Sequence, residues 1–329
     1  MNQLTEKTIL IVSSDIDAHT TRPVCSELER MDADYVIYSS DRIMSMQDEF
    51  YIGIGKNTYD IRLNGTDISP SGLSAAWYRK PGSFVRNEQS GDLAKNVYLR
   101  QEIGHMHENI WYLYPDRLWL NSPKNIRFSD SKLGQLLLAR ELGFEIPETV
   151  AGNSWPAIDH LAQDSDIIAK MVRGVISEDN KLKAMYTTPI SNDDIQRLST
   201  TANPFPGIYQ HNKKKYREWR VTVVDQDVFS AAIYTGNNAK DDWRKLQTTP
   251  AVKFTKEALP EGIAQKCALY VSRLHLLYGA LDFIEQDDGT LFFLECNPNG
   301  QYQWLEAQLG LPISNAIANA LVKIALKSN

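Results

Sequence analysis

Cysteine is scarce in this 329-residue chain, which has only Cys25, Cys267 and Cys296, far apart in sequence. An odd, scattered set excludes both a disulfide framework and a zinc knuckle. Long apolar runs are missing too. No window approaches the roughly 20 residues of a membrane helix. The N-terminal run ILIV is too short for the apolar region of a signal peptide. These absences predict a soluble, cytoplasmic chain with no membrane partner. Basic excess is also lacking: 35 Lys and Arg against 41 Asp and Glu leave a formal charge of −6, so nucleic acid is not an expected partner. There is no internal repeat and no low-complexity linker. What remains is a composition 43% hydrophobic and 23% charged, ordinary for two or three compact domains.

The chain opens with TILIVSSD (8–15), a β-branched run ending in polar residues, as buried parallel strands do. A helix around 22–31 and a strand over 34–40 follow, which predicts a small α/β unit. LSAAWYRKPG (73–82) reads as another strand and 90–114 as a helix. NSP (121–123) marks a turn, and Ser129 or Asp130 is placed to cap the helix of LGQLLLAREL, which stops at Gly143. The region 167–188 reads as two strands around a polar loop. Three strand-like pieces fill 207–236, two of them joined at DQD. A helix over 259–279, a hairpin turning at DDG and a helix over 311–328 close the chain.

The last hairpin carries chemistry. Asp282 lies in its first strand, and Glu295 and Asn297 end its second, two apart and therefore on one face. The turn brings the three side by side across the ladder. Two carboxylates at the end of an apolar strand are costly unless a cation compensates them, and few protein ligands suit Mg²⁺. The competing reading is a hairpin whose polar residues simply face water.

LDFIEQDDGTLFFLECNPNGQYQWLE resembles the metal-binding hairpin of the ATP-grasp superfamily. The ECNPNGQ…W form is most similar to the microviridin-type, or graspetide, maturases, which cross-link ribosomal peptides through side-chain esters and amides. AWYRKPG (76–82), residues 120–149, DIIAKMVRG, IYQHNKKKYREWRVTVV and DDWRK (241–245) fall in that family's order, so the resemblance spans most of the chain. It implies an α/β (α+β) ATP-grasp fold behind an N-terminal pre-ATP-grasp α/β domain. The implied boundaries are 1–120, 121–209 with a phosphate-covering loop, and 210–329 with the Mg-binding hairpin.

The resemblance also implies roles. Asp282, Glu295 and Asn297 would hold Mg²⁺. Lys170 and Lys132 would meet the ATP phosphates, under a loop that includes Gly174. Gln210, His211 and Asn212 would meet adenine and ribose, the segment offering main-chain N–H and C=O groups to the base edge, with Glu218 also on the nucleotide side. Arg220 and Arg244 would clamp the charge on the transferring phosphoryl group. Taken alone, Lys170 reads equally as a surface lysine and Lys132 as a helix-start residue. Arg79 reads as a tie holding the N-terminal domain against the rest. His105 and His107, two apart on a helix, share no face and do not suggest a metal site. Cys296 reads as a buried filler, and KKK (213–215) as a solvated turn.

The implied activity is an ATP- and Mg²⁺-dependent ligase. It would activate Asp or Glu side chains of a precursor peptide (leader plus core) as acyl phosphates and close ester or amide macrocycles. A homodimer is implied. Two alternatives stay open: a carboxylate–amine ligase for small molecules or protein C-termini, and a non-catalytic ATP-binding regulatory protein.

Overall fold

The computed structural model describes residues 8–56, 59–81, 93–170, 175–178, 181–184, 187–200, 206–235 and 252–327. The first part holds β1 (Thr8–Ser13), β2 (Tyr35–Ser39), an antiparallel ribbon of β3 (Phe50–Ile54), β4 (Tyr59–Leu63) and β5 (Thr66–Asp67), and β6 (Leu73–Tyr78). β1 is the centre of a parallel sheet of order β2-β1-β6. Its alternate residues enter different cores. Ile9 and Ile11 pack with Val24 and Leu28 of the helix Ala18–Arg30, whereas Leu10 and Val12 pack with Ile110 and Trp111 of the helix Leu93–Trp111. Burial on both faces explains why TILIV is apolar without alternation.

The middle part is an antiparallel sheet of order β11-β8-β12-β7, formed by β7 (Thr149–Gly152), β8 (Ile167–Lys170), β11 (Thr188–Ile190) and β12 (Gly207–His211). A two-stranded hairpin, β9 (Val175–Glu178) and β10 (Lys181–Ala184), lies between β8 and β11 in the chain. The last part is a five-stranded antiparallel sheet of order β15-β14-β13-β16-β17, from β13 (Arg217–Val224), β14 (Asp227–Tyr234), β15 (Lys253–Lys256), β16 (Tyr278–Glu285) and β17 (Leu291–Asn297). Gly289, with φ +83°, makes the tight turn between β16 and β17 that the DDG sequence predicts.

Several short elements depart from the expectation. NSP is a helix start as well as a turn: Ser122 caps Pro123–Ser129, with proline in the first turn where its missing N–H costs nothing. The next helix, Lys132–Glu141, is therefore capped by Ser131 rather than by Ser129 or Asp130, and Ser129 instead donates to the Ile126 carbonyl. The ribbon β3–β5 and the helices Trp155–Ala162, Asn192–Ser199 and Gln303–Leu309 were not anticipated. Asn192–Ser199 carries a reciprocal cap, Ser191 Oγ accepting from the Asp194 N–H while Asp194 accepts from Ser191.

The C-terminal helix Ile313–Lys327 returns to the first sheet, its Ile317 and Leu321 joining Ile9 and Ile11 in one core. Its apolar face is therefore core. Arg79, just past β6, makes the polar tie. It is 1% exposed. Its Nε donates to Asp17 Oδ2 (2.9 Å), Nη1 to the carbonyls of Asn299 (2.7 Å) and Gly300 (3.1 Å), and Nη2 to Gln301 Oε1 (2.6 Å). Asp17 in turn accepts from Gln301 Nε2 and Thr20 Oγ1. Replacing Arg79 with Met should leave the Asp17 carboxylate buried and unpaired. The expected loss is about 3–5 kcal/mol of stability, read as a lowered urea midpoint. Adding Asp17→Asn to Arg79→Met should recover part of that loss.

Candidate functional site

In the last sheet one row of side chains crosses three strands. Arg220 of β13 stands opposite Asp282 of β16, which stands opposite Glu295 of β17. The next row places Asn297 opposite Ala280. Directly paired residues in an antiparallel sheet point to one face, so the three predicted metal ligands and Arg220 share a face. The other face buries Trp219, Val221, Phe283 and Phe293 beneath the helices Lys132–Glu141 and Ile263–Arg273.

Strict alternation in β17 would set Glu295 on the same side as Phe293. A bulge prevents this. Asp282 pairs with Glu295 but Phe283 pairs with Phe293, so Leu294 is the extra residue. Past it the inward position passes to Cys296, which is 2% exposed, and Glu295 and Asn297 turn to the cleft. Gln135 secures this shifted end. Its Oε1 accepts from the Cys296 N–H and its Nε2 donates to the Cys296 carbonyl, both at 2.8 Å, so the buried amide replaces a neighbouring strand. Burial pushes the Cys296 thiol well up, which suits a filler and not a nucleophile.

The bases sit close to the acids. Arg220 Nε is 2.9 Å from Asp282 Oδ1, with both side chains nearly buried. The N–H is misaligned, so Nε makes no hydrogen bond among the described residues. Lys132 Nζ is 3.9 Å from Glu295 Oε2, and Lys215 Nζ is 2.7 Å from Glu218 Oε1. Asn297 Oδ1 accepts from the Asn299 N–H. Among the described residues no group of three or more His, Cys, Asp or Glu forms a metal cage. The hairpin therefore offers two carboxylates and an amide oxygen. That sparse oxygen set fits a magnesium ion, which keeps several ligands from outside the protein, and not a fully protein-ligated cation.

Two cavities adjoin at Asp130. One, about 390 Å³, is lined by Lys132 and Leu133, by Ala151 and Gly152 of β7 and by Ile208 of β12. Lys170 pairs with Ile208 in register and so shares the face of that cavity. The other, about 470 Å³, is lined by Tyr78, Lys80, Pro81, Ile126 and Asn297–Asn299. Lys132, beside Glu295, thus links the row Arg220–Asp282–Glu295 to the first cavity, and Asn297 links it to the second.

The QHN segment is divided. Gln210 is 1% exposed on the cleft face, where its Nε2 donates to Thr149 and its Oε1 has no partner among the described residues. His211 faces the other way, one ring nitrogen 2.9 Å from the Leu161 carbonyl, so its side chain is not brought to the cleft. The N–H groups of His211 and Asn212 are spent on the carbonyls of Glu148 and Asp166. Backbone donation to a base edge from these two positions is therefore not supported. Arg244 and Gly174 lie outside the described residues. The KKK turn is solvated only at Lys214: Lys213 lies over the Phe292 ring, and Lys215 folds onto Glu218. His107 is buried against Tyr38, and desolvation pushes its pKa down to about 4, in keeping with a core histidine.

Three positioning residues escaped the sequence reading: Gln135, Asn121 and Gly300. Asn121 accepts from the N–H groups of Leu277 and Tyr278 and donates to the carbonyls of Tyr278 and Pro298, fixing the start of β16 to the loop after Asn297. At Gly300 a Cβ would lie 2.4 Å from Ala280 Cβ and 3.2 Å from Arg220 Nη1. Gly300→Ala should therefore displace the loop and Arg220 together. It should cost about 1–3 kcal/mol by chemical denaturation, with loss of the site's activity beyond what the unfolded fraction explains. An unchanged urea midpoint would show that the loop moves aside without cost.

No family model matches the chain, and no curated protein matches it. Solved structures do. The macrocyclase MdnC from Microcystis aeruginosa MRC, bound with precursor peptide MdnA, is 26% identical over 96% of this chain and 99% of its own, with a TM-score of 0.81. A RiPP-associated ATP-grasp ligase from Chryseobacterium gregarium, in complex with ADP and a leader and core peptide, is 24% identical over 96% and 97%, with a TM-score of 0.83. The ATP-grasp ligase PsnB, complexed with minimal precursor, Mg and ADP, is 18% identical over 99% of both chains, with a TM-score of 0.75. The fold of this chain is that of the ATP-grasp ligases.

Proposed function

We propose that the chain is an ATP-dependent ligase that joins side chains of a ribosomal precursor peptide into ester or amide macrocycles. The observation that carries this reading is the row Arg220–Asp282–Glu295, with Lys132 beside it and Asn297 one row on, at the meeting of two cavities. It is supported by the shared fold, which runs nearly end to end with a macrocyclase bound with its precursor peptide. On this reading residues 1–120, 121–209 and 210–329 are the N-terminal, central and C-terminal units, and ATP lies between the last two.

Asp282, Glu295 and Asn297 would hold Mg²⁺, which when bound would supply charge neutralisation to the phosphates. Lys132 and Lys170 meet the phosphates from the cavity wall. Arg220, whose buried Nε lacks a well-formed hydrogen bond, turns its guanidinium to the transferring group. Gln210 offers its unsatisfied Oε1 to an amino group of the base. A peptide carboxylate oxygen attacks the γ-phosphorus and ADP departs, leaving an acyl phosphate. A Ser or Thr hydroxyl or a Lys amine of the same peptide then attacks the acyl carbon. Phosphate leaves, the nucleophile loses its proton, and the ring closes. The chain's part is positioning and charge stabilisation.

The test is intact-peptide mass spectrometry with the purified protein, ATP, Mg²⁺ and a short peptide encoded next to the gene that carries Asp or Glu and Ser, Thr or Lys. Loss of one water per ring, with ADP in proportion, is expected. ADP without water loss would instead indicate a carboxylate–amine ligase with another acceptor. Glu295→Gln should lower turnover by on the order of a hundredfold or more while leaving the melting temperature within a few degrees. Undiminished turnover in Glu295→Gln would remove the metal assignment.

A further inference from the structure

The second cavity contains a cation that none of these roles uses. Lys80 follows Arg79 at the end of β6, and its side chain lines the 470 Å³ cavity together with Asn297, Pro298 and Asn299. The neighbouring bases are engaged: Arg79 is bonded to Asp17, to two carbonyls and to Gln301, and Arg220 is paired with Asp282. Lys80 makes no hydrogen bond or ion pair among the described residues, although its stem is largely covered. Burial and the Arg79 guanidinium, with a further contribution from Arg220, push its pKa down to about 8. Two acids need accounting for. Asp17 is within electrostatic reach of Lys80 but is held by Arg79, Thr20 and Gln301. Asp130 lines the same cavity where it adjoins the first one.

A partly buried ammonium without a partner is costly, and a carboxylate ligand removes that cost. The cavity is lined by Asn297 at the end of the hairpin and by no residue of β7 or β12. We infer that Lys80 is the anchor of a carboxylate subsite, which holds the Asp or Glu side chain that is to be activated. The inference rests on the ligase reading for the identity of the carboxylate, but the subsite can be tested apart from turnover.

The subsite is approached from the N-terminal unit, whereas the phosphates are met from the central and C-terminal ones. Tyr78–Pro81 line only this cavity, whereas Asp130 lines both. Lys80→Met keeps most of the stem and removes only an unpaired charge, so it should fold with an unchanged or raised melting temperature, unlike Arg79→Met.

The experiment is a double-mutant cycle on peptide binding with ADP and Mg²⁺ present. Wild type and Lys80→Met are titrated with the gene-adjacent peptide and with the same peptide bearing Gln or Asn at its Glu and Asp core positions. Wild type should prefer the acidic core by about tenfold or more. Lys80→Met should lose that preference and still bind ADP normally, and Lys80→Arg should retain part of it. A preference that survives Lys80→Met, or its absence in wild type, overturns the subsite. If the preference depends on Lys80 but no ADP forms from ATP, the subsite stands and the ligase reading fails.

Discussion

The Arg79 guanidinium is the interaction on which the rest of the site depends. It is almost completely buried, and every contact it makes crosses from the first sheet to the loop after β17 or to the helix start at Asp17. A lysine could not do this, because a point charge cannot hold a carboxylate, two carbonyls and an amide in one plane. The loop it fixes, Asn299–Gln301, begins two residues after Asn297. The placement of the β16–β17 hairpin is therefore coupled to the first sheet through Arg79, with Gln301 also bonded to Asp17 and Thr20, while Asn121 and Tyr278 tie the same loop to β16.

The second constraint is the bulge at Leu294. A regular strand cannot be apolar on one face as far as Phe293 and then present Glu295 to the opposite side. One extra residue resolves the conflict, and because β17 is the outermost strand its open edge at Cys296 is closed by the Gln135 amide. The hydrophobic core and the polar cleft thus share one strand, and the cost is a single buried side-chain amide with all its hydrogen-bonding groups engaged.

These two devices also mark how far the sequence could be read. The long elements were legible because their apolar periods are unambiguous: β1, the β16–β17 hairpin and the C-terminal helix all lie where the pattern puts them. The grouping of Asp282, Glu295 and Asn297 was legible because a hairpin enforces it. The bulge was not, since nothing in LFFLECN distinguishes a shifted strand from a regular one. The short helices were hidden because one or two turns carry too little periodicity, although Ser191 with Asp194, and Ser122 before Pro123, were cap signals that could have been read. At Gln210–Asn212 the expectation was of main-chain contact to a base, and strand alternation adds where the side chains go. Adjacent residues on a strand point to opposite faces, so Gln210 and His211 could not both line one cleft with their side chains.

Charge arrangement links the fold to the proposed chemistry. Arg220 rests against Asp282 and Lys132 lies near Glu295, each base beside one of the two acids proposed for the metal. Neither Arg220 nor Asp282 could be left alone, since both are nearly buried and an uncompensated buried charge is expensive, whereas Lys132 and Glu295 keep contact with solvent. ATP with its magnesium brings both signs at once. On the proposed reading the carboxylates would hold the cation and the bases the phosphates, so that each sign would keep a partner. Lys80 is the exception to this pairing. A nucleotide and a metal would satisfy every other charge named here and still leave one ammonium facing the second cavity. That imbalance calls for a further anion, and a side-chain carboxylate is the one the proposed reaction supplies.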